Sequence, residues 1–193
     1  MTLEEAIPKK PDPKVLNELL EYNPMTGALV WRKRSEKWFA SKGGVSAQAN
    51  AERWNKRYAN KPALSSLTNY GYLCGALVGF RVLAHRVVFA MHYGEWPKGQ
   101  IDHINGDRFD NRICNLRDVS RAENAKNSKK PITNTSGVIG VTWNRSRKKW
   151  VAQIKVDQKN QFLGHFDCKE DAATARAEAE LRFGFHENHG REA

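Results

Sequence analysis

The stretch IDHINGDRFDNRICNLRDVSRAEN, Ile101–Asn124, decides the reading of this chain. A strand ends at Ile101, and Asp102 and His103 follow it side by side. Asn-Gly and Asp-Asn pairs then make a loop, NLRDVS reads as a second strand, and Ser120 with Glu123 three residues on is a capping box opening a helix over about 120–128. Strand, loop, strand and helix therefore follow in order. Asn115 and Asn124 stand thirteen and twenty-two residues after Asp102. Successive residues of an extended strand point to opposite sides, so Asp102 and His103 address different surroundings.

Asp102 supplies a hard carboxylate oxygen and Asn124 a carboxamide oxygen, both suited to a small divalent cation. A neutral imidazole outside the coordination sphere suits a general base acting on water near neutral pH. Asn115, just before the second strand, is placed to bond the loop backbone and so orient the imidazole. A plain surface loop explains the turn formers equally well on the residues alone. A calcium loop built on Asp102, Asp107 and Asp110 lacks the ligand alternation and closing Glu of an EF-hand.

The rest of the chain narrows the choice. At 193 residues with 40% hydrophobic residues and six tryptophans it is a folded protein of one large domain or a few small ones. No apolar run approaches the roughly 18 residues of a membrane span, and the N-terminus lacks an apolar signal core. Cys74, Cys114 and Cys168 lie far apart, unlike a disulfide framework or paired zinc ligands, which predicts a cytoplasmic protein. Net charge is +11, and Arg121–Asn160 alone holds ten Lys and Arg against Glu123 and Asp157. A basic stripe in an aromatic-containing segment is the footprint of a polyanion.

Residues 1–13 read as a tail, and Asp12-Pro13 starts a short helix carrying Val15, Leu16, Leu19 and Leu20. A turn at Asn23–Gly27 enters a strand at Ala28–Trp31, while residues 35–62 carry no decisive pattern. Two short strands flank Gly79, and a helix follows over about Leu83–His92 with His85 and Arg86 in its first turns. After a linker at Lys129–Gly137, three segments read as antiparallel strands. Asp167 and Glu170 are placed to cap a last helix, with Ala173, Ala177 and Leu181 as its packing face.

His85–Asn127, with its ordered elements HR, IDHINGD, DNR, NLR and EN..N, resembles the HNH family of homing-type endonucleases with the ββα-metal fold, in the variant whose last motif residue is Asn. The resemblance implies Asp102 and Asn124 as metal ligands, with Asn127 one turn on as a competitor. It implies His103 as general base and Asn115 as the structural asparagine. It leaves open whether His85 caps a helix, contacts phosphate or joins the chemistry. The upstream LNELLEYNPMTGALVWRKR is similar to the leader of phage-encoded members.

The segment GVIGVTWNRSRKKWVAQIKVDQKNQFLGHFDCKEDAATARAEAELRFG resembles the ethylene-response-factor type of DNA-binding domain, known from plant regulators and attached to phage HNH nucleases. In that family a three-stranded sheet lies in the major groove and a helix backs it. By position, the resemblance implies Thr142, Asn144, Arg145, Arg147, Lys149, Gln153, Lys155 and Asn160 as DNA-facing, with Trp150 and Ile154 against the helix. Thr142, Asn144 and Asn160 replace the arginines usual in plant members, which predicts looser base readout and salt-sensitive affinity.

The expectation is thus an α+β chain: tail 1–13, helix and hairpin region 14–64, nuclease module 65–128, basic linker 129–137, DNA-binding domain 138–186 and tail 187–193. It is expected to hydrolyse phosphodiester bonds of double-stranded DNA with one divalent metal, Mg²⁺ by preference and Mn²⁺ or another divalent ion as substitutes. His85, Arg86, Lys126, Lys129 and Lys130 are expected to add DNA contacts, without an obligate protein partner or a membrane. If phage-encoded, the protein works in the cytoplasm of a bacterial host. The alternatives are a DNA-binding regulator with an inactive nuclease module and, more weakly, RNA cleavage.

Overall fold

The computed structural model describes residues 10–191, which form two compact units. The first runs through His103 and takes in Asp107–Asp118; the second comprises Ile104–Gly106 and the chain from Val119 on. The division falls within the expected 65–128 module. The architecture is α+β, with small antiparallel sheets throughout.

In the first unit α1 (Pro13–Leu19) starts as the sequence predicts: the Asp12 carboxylate accepts from Lys14 N at 2.9 Å, and Pro13 sits at the first helical position. Leu16, Leu19 and Leu20 are fully buried. Strands β1 (Leu20–Tyr22) and β2 (Leu29–Trp31) form an antiparallel hairpin, closed where Asn23 Oδ1 accepts from Met25 N and Thr26 N. The stretch 35–62, without a decisive pattern in sequence, contains α2 (Ala47–Tyr58), capped by Ser46 Oγ accepting from Ala49 N. Only Ala51 of this helix is buried, so it lacks the apolar stripe that reveals a helix in sequence. Its anchor is Trp54, edge-on to Trp31 and covered by the Arg34 guanidinium 4.0 Å from the ring centre.

Strands β3 (Ser66–Leu67), β4 (Leu73–Leu77) and β5 (Phe80–Leu83) form an antiparallel sheet, with Val78 and Gly79 both at positive φ in the tight β4–β5 turn. Helix α3 (Ala84–Tyr93) follows and ends at left-handed Gly94. Strand β6 (Gln100–His103) then pairs with β7 (Leu116–Val119). Leu16, Leu20, Leu29, Leu77, Val87, Val88, Ile101 and Leu116 join one hydrophobic core, which fixes the base of β6 and β7.

The hairpin also braces the loop between β6 and β7. Tyr22 Oη donates to Asn111 O at 3.1 Å and accepts from Ile113 N at 2.9 Å. Gly27, at φ +75°, approaches so closely that a Cβ there would lie 2.7 Å from Arg112 N and Asn111 C.

In the second unit α4 (Arg121–Ala125) has the complete capping box: Ser120 Oγ accepts from Glu123 N, and Glu123 accepts from Ser120 N. It is shorter than the sequence predicts. Strands β8 (Val141–Asn144), β9 (Lys149–Val156) and β10 (Lys159–Phe166) form an antiparallel sheet of order β10-β9-β8, and α5 (Lys169–Arg182) packs on it over Val141, Ala152 and Ala172. Two local expectations are corrected. The helix cap is Cys168, whose Sγ accepts from Asp171 N, while Asp167 pairs with Lys149 at 2.9 Å. The buried face is Ala172, Arg176 and Ala179, and Leu181 is 83% exposed. An arginine lies on the inner face because its guanidinium is fully employed, donating to Gln153 O at 2.7 Å and Glu180 Oε1 at 2.8 Å.

Residues 187–191 do not trail as a tail. Asn188 Nδ2 donates to Ile104 O, Gly190 N to Ser128 O, and Arg191 Nη1 to both carbonyl oxygens of Asn127. Residues 1–9, within the expected N-terminal tail, and 192–193 lie outside the described residues.

Gly27→Ala combines a strained φ with a backbone clash and is expected to destabilise the protein by about 2–4 kcal/mol in urea denaturation. A loss below about 0.5 kcal/mol would contradict the close approach of the hairpin to the 111–112 backbone.

Candidate nuclease site and nucleic-acid surface

The end of β6 carries a polar cluster. Asp102 is 6% exposed and His103 4% exposed. His103 Nε2 lies 3.2 Å from Asn111 Oδ1. With this carbonyl oxygen accepting, Nε2 carries the proton and the basic lone pair is on Nδ1. The Tyr72 ring stacks on the His103 imidazole at 6.0 Å, and His85 meets it edge-on at 5.2 Å. The imidazole is therefore buried among polar groups and rings.

Burial pushes the His103 pKa below the ordinary histidine value, although the Asn111 hydrogen bond and the charges of Asp102, Asp107 and Asp110 oppose the shift. His85 is equally buried, and desolvation followed by the charges of His103 and Arg86 lowers its pKa to about 3. Both rings are neutral at neutral pH. Asn115 Nδ2 donates to Asp110 O at 2.8 Å, fastening the loop that presents Asn111. Asp102 Oδ2 accepts twice from Arg117, from Nε at 2.8 Å and Nη2 at 2.7 Å.

Sequence reasoning missed Tyr72, Asn111 and Arg117. The last two lie inside the DNR and NLR elements already singled out; nothing local marks Tyr72. Two expected DNA contacts are corrected. His85 is buried, because the first turn of α3 faces inward. Arg86 donates from Nη1 to Gly99 O at 2.9 Å and from Nη2 to Pro97 O at 2.8 Å, tying down the approach to β6.

In the second unit Asn124 lies on α4, half-buried. Asn127 is 2% exposed, its Nδ2 donating to Ile104 O at 3.3 Å and its Oδ1 accepting from Arg191 at 2.9 Å. Lys126 Nζ donates to Phe183 O at 2.7 Å and Lys130 Nζ to Gly137 O at 3.4 Å, while Lys129 is exposed.

The β8–β9–β10 register puts Thr142, Asn144, Lys149, Gln153, Lys155 and Asn160 on one face of the sheet, opposite buried Val141, Ala152 and Ile154. Arg145 and Arg147 are exposed in the β8–β9 turn, and Asn144 Oδ1 accepts from Arg147 N. Phe162, 62% exposed beside Gln153 on this face, is an aromatic that the sequence reading did not mark. Trp150 packs toward the helix, and Trp143 meets it edge-on at 5.4 Å. Lys126, Gln153, Lys155 and Asn160 share a groove of about 430 Å³ with Arg121 and Arg176.

A hard carboxylate on Asp102 suits a small divalent cation, but the donor set is thin. Among the described residues no three His, Cys, Asp or Glu side chains converge. That donor chemistry fits a divalent cation held weakly. Among the described residues no helix is long and apolar enough to cross a membrane.

Comparison with known proteins defines the class. Residues 82–126 match the HNH endonuclease family and contain Asp102, His103, Asn111, Asn115, Arg117 and Asn124. Protein 3.8 of Escherichia phage T7 is 37% identical over 90 residues, which cover 46% of this chain and 74% of that protein. The chain belongs to the same family as that phage protein and carries an HNH endonuclease domain at residues 82–126. No solved structure matches the chain.

Because His85 and His103 are buried with lowered pKa values, the unfolded chain binds more protons than the folded one below the ordinary histidine pKa. Stability is therefore expected to be complete above pH 6.5 and to fall as the pH drops toward about 3, where His85 protonates in the folded state. His85→Asn should flatten this decline by up to about 1.4 kcal/mol per pH unit in denaturation series at stepped pH. Parallel declines in the two proteins would mean that His85 is not held neutral by the fold.

Proposed function

We propose that this protein is a metal-dependent endonuclease acting on double-stranded DNA. The observation carrying the reading is a neutral imidazole, His103, hydrogen-bonded to Asn111 and adjacent in the chain to the buried carboxylate of Asp102. An imidazole with a lowered pKa is in its basic form throughout the physiological range. We assign His103 as the general base that takes a proton from the attacking water. Asn111 sets the ring orientation, and Asn115 holds the loop that carries Asn111.

Asp102 and Asn124 are assigned as protein oxygen donors for one divalent ion, Mg²⁺ or Mn²⁺. Asn124 is assigned because it stands at the last position of the motif that the chain resembles, and the Asn127 carboxamide bonds Ile104 O and Arg191. When bound, such an ion supplies charge stabilisation at the phosphate and help for the leaving oxygen. Neutral His103 adds no positive charge of its own before it accepts the proton.

The second unit is assigned as the DNA grip, in the manner of the ethylene-response-factor sheet. Thr142, Lys149, Gln153, Lys155 and Asn160 lie on one face, with Arg145 and Arg147 at its end, and Arg121 and Lys126 border the groove. Short polar side chains at Thr142, Asn144 and Asn160 favour phosphate-led binding over tight base readout. Lys129 and Lys130 extend the basic stripe, and the protein is placed in the cytoplasm of a phage-infected host.

Supercoiled plasmid is expected to become nicked or linear with Mg²⁺ or Mn²⁺ and to stay intact with chelator. His103→Ala should lower the cleavage rate about 10²–10⁴-fold while DNA affinity stays within about threefold. In the parent protein the rate should rise with pH along a limb whose midpoint lies below the ordinary histidine pKa and then level off. Equal losses of cleavage and binding would make His103 a structural residue. DNA binding without cleavage under any divalent ion would favour the regulator.

A further inference from the structure

We propose that Arg117 gates metal loading: it holds the Asp102 carboxylate in DNA-free protein and releases it to the metal when a DNA phosphate takes the guanidinium. The inference rests on the assignment of Asp102 as a metal ligand and adds a residue to which no function has been attached.

The geometry is specific. Arg117 Nε and Nη2 both donate to one oxygen, Asp102 Oδ2, at 2.8 and 2.7 Å. The two residues sit on paired strands, β6 and β7, so the core beneath them fixes their separation. The Asp102 side chain is 7% exposed and that of Arg117 is 37% exposed. One end of the pair is thus sunk in the protein while the other reaches solvent. The next residue on the strand, Asp118, points to the opposite side and accepts from the backbone N–H groups of Lys98 and Gly99 at 2.8 and 2.7 Å.

A divalent cation at either oxygen of Asp102 must tolerate a fixed positive charge a few ångströms away or displace it. At a few ångströms the repulsion is substantial even with surface-like screening. Two donors converging on one oxygen do not use the parallel fork that a guanidinium offers, and a phosphate presents two oxygens that do. A phosphate can therefore draw the Arg117 head group away, which unmasks the carboxylate in the same event. Metal and substrate then load together, and DNA-free protein is held with a neutralised Asp102.

The test measures Mn²⁺ binding by electron paramagnetic resonance on the full chain, with and without random-sequence duplex, in a His103→Ala background that suppresses turnover. Without DNA, Arg117→Gln is expected to bind Mn²⁺ about tenfold more tightly than the parent. Duplex should tighten the parent about tenfold and Arg117→Gln less than about threefold, and metal-free DNA affinity of the variant should lose about one phosphate contact from its salt slope. Unchanged or weaker Mn²⁺ binding by folded Arg117→Gln, or equal tightening by duplex in both proteins, overturns the gate. If Arg117→Gln fails to fold, Arg117→Lys carries the test, because an ammonium lacks the double hold. Its DNA-free Mn²⁺ binding should tighten severalfold, and unchanged binding overturns the proposal. Asp102→Asn separates the two ideas: unaltered Mn²⁺ affinity on duplex would mean that Asp102 is no ligand, which sinks the metal assignment and the gate with it, whereas weakened binding there with unchanged DNA-free binding by Arg117→Gln sinks the gate alone.

Discussion

A phenol on the N-terminal hairpin holds the candidate site together. Tyr22 Oη accepts from Ile113 N and donates to Asn111 O, linking a strand near the start of the chain to the loop between β6 and β7. Gly27 lets the same hairpin touch that loop's backbone. Asn115 fastens the loop from within through Asp110 O. The outcome is that Asn111 Oδ1 faces His103 Nε2, so the imidazole inherits its orientation from a residue about eighty positions away in sequence. Without that brace, a loop of Asn, Asp and Gly has many conformations and no reason to hold one.

The electrostatics of the site follow from the same burial. Two histidine rings and a tyrosine ring pack against one another, and desolvation lowers the pKa of both imidazoles. The one buried carboxylate among them, Asp102, is balanced by Arg117. Pairing with Arg117 offsets the cost of burying that carboxylate.

Much of the fold was legible. The order strand, loop, strand and capped helix could be read from Ile101–Asn124 because turn formers and a capping box are local signals that the structure honours. The C-terminal sheet was legible through alternation, with Ala152 and Ile154 inward and Gln153 and Lys155 outward. Helix α2 was not, because its single buried residue leaves no stripe to find. The inner face of α5 was misplaced because Arg176 looks like a surface residue until the partners of its guanidinium are known. At the site, Asp102, His103 and Asn115 stood out by type and spacing. Tyr72 could not, since its place beside His103 is set by strand pairing and helix packing, which no short window of sequence contains.

The most direct measurement is the tautomer and titration of His103 by ¹⁵N-resolved NMR of the imidazole in the DNA-free protein. This structure predicts a ring protonated on Nε2 that titrates below the ordinary histidine value of 6.5 and loses its fixed tautomer in Tyr22→Phe. A ring that titrates at or above 6.5, or that carries its proton on Nδ1 in both proteins, would contradict the account.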